Sequence, residues 1–203
     1  MGQRTILVAT TNPGKSKEYE MMLHSLPYRF VNLRQVGITA EVPETGTTML
    51  QNAIIKAKGY AQLSGLLTLA DDSGLEVDAL GGEPGVSSAR YAGVGATDDN
   101  RNCLVLLRMQ GVPEGQRQAR FRCVIAVATP PGLVETSEGI CEGSIALAPR
   151  GDQGFGYDPI FRLAGDTRHI AELPMEEKNR TSHRGTAMLG VRAILKRLAS
   201  PVP

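Results

Sequence analysis

The first seventy residues fix the class of fold. A short run rich in β-branched residues, Thr5 to Ala9, breaks at Thr10-Thr11-Asn12-Pro13-Gly14, and apolar residues then recur at Tyr19, Met22, Leu23 and Leu26, the spacing of one helical face. Asn12 can cap that helix with Pro13 in its first turn, so a buried strand, a polar loop and an amphipathic helix over 13–26 follow in order. The alternation continues with a strand at Arg29 to Leu33 and a helix from Thr48 to Leu63 carrying Leu50, Ile54, Ala57 and Ala61 on one stripe. Gly65 ends that helix, and a buried strand follows at Leu66 to Ala70. Strands alternating with helices make an α/β fold.

The second half is more strand-rich. Asp71-Asp72-Ser73-Gly74 reads as a polar corner between the strand at Leu66 to Ala70 and a second extended run, Leu75 to Leu80. A long loop follows to Gly95, and Thr97 caps a helix with Leu104 and Leu107. Ala119 to Thr129 is a long strand that turns at Pro130-Pro131-Gly132 and returns over Leu133 to Leu147 as one strand or two. A tight loop at Gly154 to Pro159 precedes Ile160-Phe161, and Arg184 to Leu198 is a last amphipathic helix. With no repeat or linker, the expectation is a single domain over 1–203. It has a mixed sheet flanked by helices and a cleft between two lobes.

Charge and cysteine usage exclude several classes of function. The 203 residues carry 22 Lys and Arg against 21 Asp and Glu, so no global basic field draws the chain to nucleic acid or to an anionic membrane. The three cysteines, Cys103, Cys123 and Cys141, lack Cys-x-x-Cys spacing, lie in apolar runs and read as packing residues, which points to a reducing cytoplasm. Neither the run after Met1-Gly2 nor any later one has the length of a signal peptide or membrane span.

Three clusters carry chemistry. Thr10, Thr11, Asn12, Pro13, Gly14 and Lys15 form a strand-to-helix loop, where unpaired N–H groups and a lysine favour an anion such as phosphate. The stretch approaches a Walker-type phosphate loop, but Ala9 replaces the first glycine and Pro13 removes a donor. A plainly capped helix with a solvated Lys15 accounts for the loop alone equally well. Glu44, Asp71 and Asp72 are hard oxygen ligands suited to Mg²⁺, or a proton acceptor for water, although an Asp pair at a turn is often only solvated. Phe155, Gly156, Tyr157 and Asp158, with Lys178, His183 and Arg184, offer an aromatic face and donors for a nucleobase in a chain with only four Phe and five Tyr. His183 and Arg184 at a helix start oppose the helix dipole unless something compensates them.

Taken in order, these motifs resemble the inosine triphosphate pyrophosphatase family, the XTP/dITP diphosphatases. The resemblance rests on Thr-Thr-Asn-Pro-Gly-Lys at 10–15, Pro-Glu-Thr-Gly at 43–46, Gln-Asn-Ala at 51–53 and Ala-Asp-Asp-Ser-Gly-Leu at 70–75. It continues through Gly-Gly-Glu-Pro-Gly at 81–85, Ser-Ala-Arg-Tyr at 88–91, Gly-Phe-Gly-Tyr-Asp-Pro at 154–159 and Ser-His-Arg-Gly at 182–185. It implies Mg²⁺-dependent hydrolysis between the α and β phosphates of deaminated purine nucleoside triphosphates (dITP, ITP, XTP), typically by a homodimer with an elongated mixed sheet and a nucleotide cleft. Carried over residue by residue, Thr10 to Lys15 hold the triphosphate, Asp72 is proton acceptor and metal ligand, Glu44 is a second acid near the metal and Ser73 touches the nucleotide. Phe155 to Asp158 shape the base pocket, with Phe155 stacking, and Lys178, His183 and Arg184 donate to the base edge. Thr11, where many relatives have glycine, and Pro43, where some carry another acid, are departures. A 6-oxo purine accepts from such donors, whereas adenine presents an amino donor and leaves them unpaired. Two readings stand beside this one. A P-loop-type NTPase would release phosphate, and a non-enzymatic nucleotide or RNA-binding module would use the aromatic and basic cluster without the acids.

Overall fold

β1 (Arg4–Val8) is the strand around which the N-terminal half is built. It runs parallel to both β2 (Tyr28–Asn32) and β3 (Leu67–Val77), with Ile6 opposite Phe30 on one side and Leu67 on the other. The computed structural model describes residues 4–199, so the Met1-Gly2 start lies outside the described residues. The sheet has six strands in the order β2-β1-β3-β4-β5-β6, completed by β4 (Gln118–Ala128), β5 (Val134–Ile145) and β6 (Phe161–Leu163), which is antiparallel to β5. The helices are α1 (Pro13–Leu23), α2 (Met49–Ser64), α3 (Asp98–Arg108), α4 (Met175–Thr181) and α5 (His183–Ala199), with short 3-10 turns between elements. The expected mixed α/β architecture is present.

The helix ends follow local chemistry. The Asn12 side chain accepts the Lys15 N–H at 3.0 Å, Thr48 accepts the Gln51 N–H at 3.1 Å, and Gly65 closes α2 at φ 67°, a left-handed conformation that suits glycine. Thr97 and Asn100 form a reciprocal capping box on α3.

The chain gathers into two compact units. The first holds the residues up to Asp72, Cys123–Gly139 and those from Arg184 onward; the second holds Ser73–Arg122 and Ile140–His183. Each has its own apolar core. In the first, Ile6, Tyr19, Leu23, Leu69, Ile125, Val191 and Leu195 pack together, and the Tyr28 hydroxyl donates to the Leu195 carbonyl at 2.7 Å, tying β2 to α5. In the second, Leu75, Val105, Met109, Phe121, Ile160 and Phe161 pack, with the Phe121 and Phe161 rings 4.6 Å apart.

Several expectations are corrected. Asp71-Asp72-Ser73-Gly74 is no corner: β3 runs unbroken from Leu67 to Val77 through it. The stripe on α2 is Met49, Ala53, Ala57, Tyr60 and Ala61, while Leu50 is 46% exposed. On α3 it is Val105 and Met109 that are buried, and Leu107 is 59% exposed. Cys103 is exposed and is not a packing residue, unlike Cys123 and Cys141. The return over 133–147, expected as one strand or two, is the single strand β5.

The second unit also holds a buried cation invisible to motif reading. Arg117 donates to the carbonyls of Ile145 (2.7 Å), Met109 (2.9 Å), Val112 (3.2 Å) and Ala146 (3.1 Å), joining the end of α3 to the end of β5. No other residue has a planar fork able to serve all four. Arg117→Met leaves those carbonyls without their donor, and the expected loss is about 2–4 kcal/mol in urea unfolding; a change below about 0.5 kcal/mol contradicts this role.

Candidate active site

Successive side chains of a strand point to opposite faces, so the adjacent carboxylates of β3 diverge. Asp71 meets Lys15 of α1 at 2.7 Å and lies 3.9 Å from the Cys123 thiol, all three within the first unit. Asp72 meets α2 instead: Asn52 donates to its Oδ2 at 3.1 Å and the Lys56 ammonium stands 3.8 Å from its Oδ1. The same ammonium is 2.8 Å from Glu44 Oε1, so Glu44 and Asp72 converge on one cation. Asn52 also accepts the Gly46 N–H at 2.8 Å, which holds the Glu44 loop against α2. A Cβ on Gly46 would lie 2.7 Å from the Asn52 oxygen, so the loop approaches this closely only with glycine there.

The two carboxylates titrate in opposite directions. Burial pushes both up, but for Asp71 the charges of Lys15, Lys56 and Arg184 outweigh it and hold the carboxyl below its ordinary value. For Asp72 burial prevails over Lys56 and the Asn52 hydrogen bond, and the carboxyl is raised. Lys56 is raised as well: burial alone would lower it, and Asp71, Asp72 and Glu44 more than offset that.

The loop before α1 is built much as a capped helix is. Five of its N–H groups are engaged within the chain: Ala9 to the Leu69 carbonyl, Thr10 to the Val8 carbonyl, Asn12 to Thr10 Oγ1, Lys15 to Asn12 Oδ1 and Ser16 to the Asn12 carbonyl. That is not the cradle of inward N–H groups of a Walker loop. No non-glycine residue among those described has a positive φ, so the backbone at Thr11 does not call for glycine. Pro13 opens α1, and Thr11, Asn12 and Pro13 are exposed, with Gly14 half-buried beside Lys15.

In the second unit, Phe155, Asp158 and Lys178 come together. The buried Lys178 ammonium is 2.5 Å from Asp158 Oδ2 and 4.7 Å from the centre of the Phe155 ring. A Cβ on Gly154 would come within 2.1 Å of the same Asp158 oxygen, which explains a glycine there, at φ 80°. Gly156 and half-buried Ser73 also belong to this unit.

Tyr157, Arg184 and His183 each have partners within the protein. Tyr157 is a core residue whose hydroxyl donates to the Ser88 carbonyl at 2.8 Å. Arg184 belongs to the first unit, where its guanidinium pairs with the fully buried Glu18 of α1; that carboxylate compensates a cation at the start of α5. His183 is buried with its ring stacked on Phe121, centroids 4.7 Å apart. Sequence reasoning missed Lys56, Asn52 and Glu18. The signal for the first two was their position one helical turn apart on α2, readable only once that helix is laid against β3.

Among the described residues no group of three or more His, Cys, Asp and Glu side chains forms a metal cage, and no helix is long and apolar enough to cross a membrane. The donor set does fit Mg²⁺, which binds through one or two carboxylates and completes its shell with water and substrate phosphates. Glu44 and Asp72 already share a cation in Lys56.

The chain is similar to known proteins over nearly its whole length. The sequence model of the Ham1 family matches residues 6–194. A dITP/XTP pyrophosphatase of Desulforamulus reducens is 48% identical over 193 residues, covering 95% of this chain and 96% of its own, and that of Bacillus subtilis is 45% identical over 190 residues, covering 94% and 96%. The solved structure of a HAM1 protein from Coxiella burnetii superposes with a TM-score of 0.86 at 41% identity, covering 96% of this chain and 99% of that one.

The opposed titrations give opposite stability effects. Asp71, lowered on folding, stabilises above its unfolded value near ~4 and loses that contribution as pH falls through its folded value. Asp72, raised on folding, is a charge that folding disfavours at neutral pH, and the penalty disappears as pH falls through its folded value. In urea unfolding at pH 7, Asp71→Asn is expected to lower the midpoint, whereas Asp72→Asn leaves it unchanged or raises it. Equal losses for both would contradict the assignment.

Proposed function

The chain belongs to the Ham1 family, and we propose that it is a pyrophosphohydrolase that converts deaminated purine nucleoside triphosphates, dITP, ITP and XTP, to the monophosphate and pyrophosphate. The observation that carries this reading is the Asp72 carboxylate, raised by burial and set beside Glu44 and Lys56. A carboxylate raised towards neutrality is a better proton acceptor than an ordinary one.

In this reading Thr10 to Lys15 take the triphosphate, with the exposed Asn12 and the Lys15 ammonium at the start of α1. Lys56 adds a second fixed positive charge beside Asp72. Asp72 accepts the proton of the attacking water as the water oxygen bonds to phosphorus. The anhydride bond between the α and β phosphates breaks, and its electron pair leaves on pyrophosphate. Mg²⁺, held by Glu44 and Asp72, supplies positive charge against the developing charge on the phosphate oxygens.

Phe155 stacks on the base and Lys178, fixed by Asp158, donates to its 6-oxo group. Ser73 touches the nucleotide, and His183 adds a donor at the base edge. Arg184 acts through Glu18, holding α1 in place from within the first unit. A homodimer and a cytoplasmic location complete the proposal, the latter supported by three free thiols.

The missing N–H of Pro13 and the internal bonds of the Asn12, Lys15 and Ser16 N–H groups disfavour the P-loop alternative, and the near-neutral charge disfavours an RNA-binding module. The deciding assay is Mg²⁺-dependent turnover of dITP, XTP, dGTP and ATP with pyrophosphate and phosphate measured separately. Pyrophosphate from dITP and XTP, little from dGTP and ATP, and loss on chelation are expected. Asp72→Asn should lower kcat by about 10²–10⁴-fold while nucleotide binding persists, and the acidic limb of wild-type turnover should lie above the pH at which an ordinary aspartate titrates. Phosphate as the main product, or equal use of ATP, sinks the proposal.

A further inference from the structure

The loop that carries Phe155 is held by a helix outside the motifs assigned above. Three consecutive peptide planes are each gripped by a side chain. The Phe155 N–H donates to Asp158 Oδ2 at 2.9 Å, the Gly156 N–H donates to Asp98 Oδ2 at 2.7 Å, and the Gly156 carbonyl accepts from Asn102 Nδ2 at 3.0 Å. Asp98 and Asn102 lie one turn apart on one face of α3, and all five residues belong to the second unit.

The first two grips bracket the Phe155 Cα and so restrain both of its backbone torsions, and with them the direction of its Cα–Cβ bond, from which the ring is carried. The third fixes the far side of Gly156, a residue at φ 64°, where glycine is freest to flip. Asp158, which makes the first grip, also holds the Lys178 ammonium over the ring. Ring and cation are therefore set by one rigid frame.

Asn102 is 5% exposed, and its Oδ1 has no hydrogen-bond partner among the described residues. An acceptor buried in that way costs stability, so an apolar residue would serve packing better. What the amide supplies is its donor to Gly156. Asp98 is likewise more than a first-turn acid: its other oxygen pairs with Arg101, which donates to the Ala96 and Ala89 carbonyls and anchors the carboxylate to the preceding loop.

We propose that Asp98 and Asn102 are positioning residues that set base affinity and base discrimination by locking the Phe155-Gly156 backbone. The inference rests on the reading of Phe155 and Lys178 as the base platform. Its test compares Asp98→Ala, the conservative Asp98→Asn, Asn102→Leu, which fills the space of the amide but takes the donor from the Gly156 carbonyl, and Phe155→Ala. Each is assayed for kcat and KM with dITP and dATP and for inhibition by pyrophosphate, a probe of the phosphate end alone.

Asp98→Ala and Asn102→Leu are expected to raise KM for dITP about tenfold and narrow the preference for dITP over dATP by a similar factor. In both, kcat stays within about twofold of wild type and pyrophosphate inhibition is unchanged. Asp98→Asn, which keeps an oxygen acceptor, restores most of the affinity. The proposal is overturned if KM and preference are unmoved in both variants, or if kcat, KM and pyrophosphate inhibition decline together without recovery in Asp98→Asn. Phe155→Ala separates the two levels. If it too leaves KM for dITP unchanged, the base-platform reading fails; if it raises KM while the α3 variants do not, only the positioning role fails.

Discussion

Two adjacent carboxylates in the middle of a buried strand are an electrostatic burden, and the N-terminal half of the molecule is arranged to carry it. Side chains alternate across β3, so one helix cannot neutralise both. Lys15 comes to Asp71 from α1, and Lys56 with Asn52 comes to Asp72 from α2. The strand order β2-β1-β3, with β1 parallel to both neighbours, is the connectivity in which right-handed crossovers put those two helices on opposite faces of the sheet. Topology and charge balance are thus one constraint seen at two scales.

The division of labour that results is chemical. Asp71 is over-compensated and serves as a fixed anion that anchors Lys15 at the head of α1, while Asp72 is under-compensated and remains able to take a proton. Pairs of like groups driven apart by their surroundings are a common way of assigning acid–base roles within one site. The second buried ion pair of this unit, Glu18 with Arg184, extends the logic to the second turn of α1 and fixes that helix to α5.

The alternation of strands and helices was legible because it is local: periodicity, an Asn or Thr cap and a terminal glycine suffice for α1 and α2. Asp-Asp-Ser-Gly was misread as a corner because its residues favour turns in isolation, and only lysines distant in sequence make a strand tolerable there. The face of α2 is offset by one position and that of α3 by two, since Leu50 and Leu107 fit the helical period as well as Met49 and Val105 do. Asp72, Glu44, Phe155 and Lys178 stood out because their chemistry is distinctive. Arg117, Asn102 and Asp98 did not: their partners are backbone carbonyls and N–H groups, which every residue carries and no motif can flag. Tyr157 and Arg184 stood out by motif too, but their partners Ser88 and Glu18 were not legible, being distant in sequence.

The placement of sulfur bears on how such a protein endures oxidants. The thiolate is the form that reacts, and Cys123, sealed between the Tyr19 hydroxyl and Asp71, is held far from that form, while burial and the nearby carboxylates raise Cys141 to about 11. The remaining cysteine, Cys103, faces solvent on α3, pointing away from the buried side that carries Asn102. A hydrolase built in this way has a chemically quiet interior: its buried thiols are kept protonated, and Cys103 is the thiol that solvent reaches.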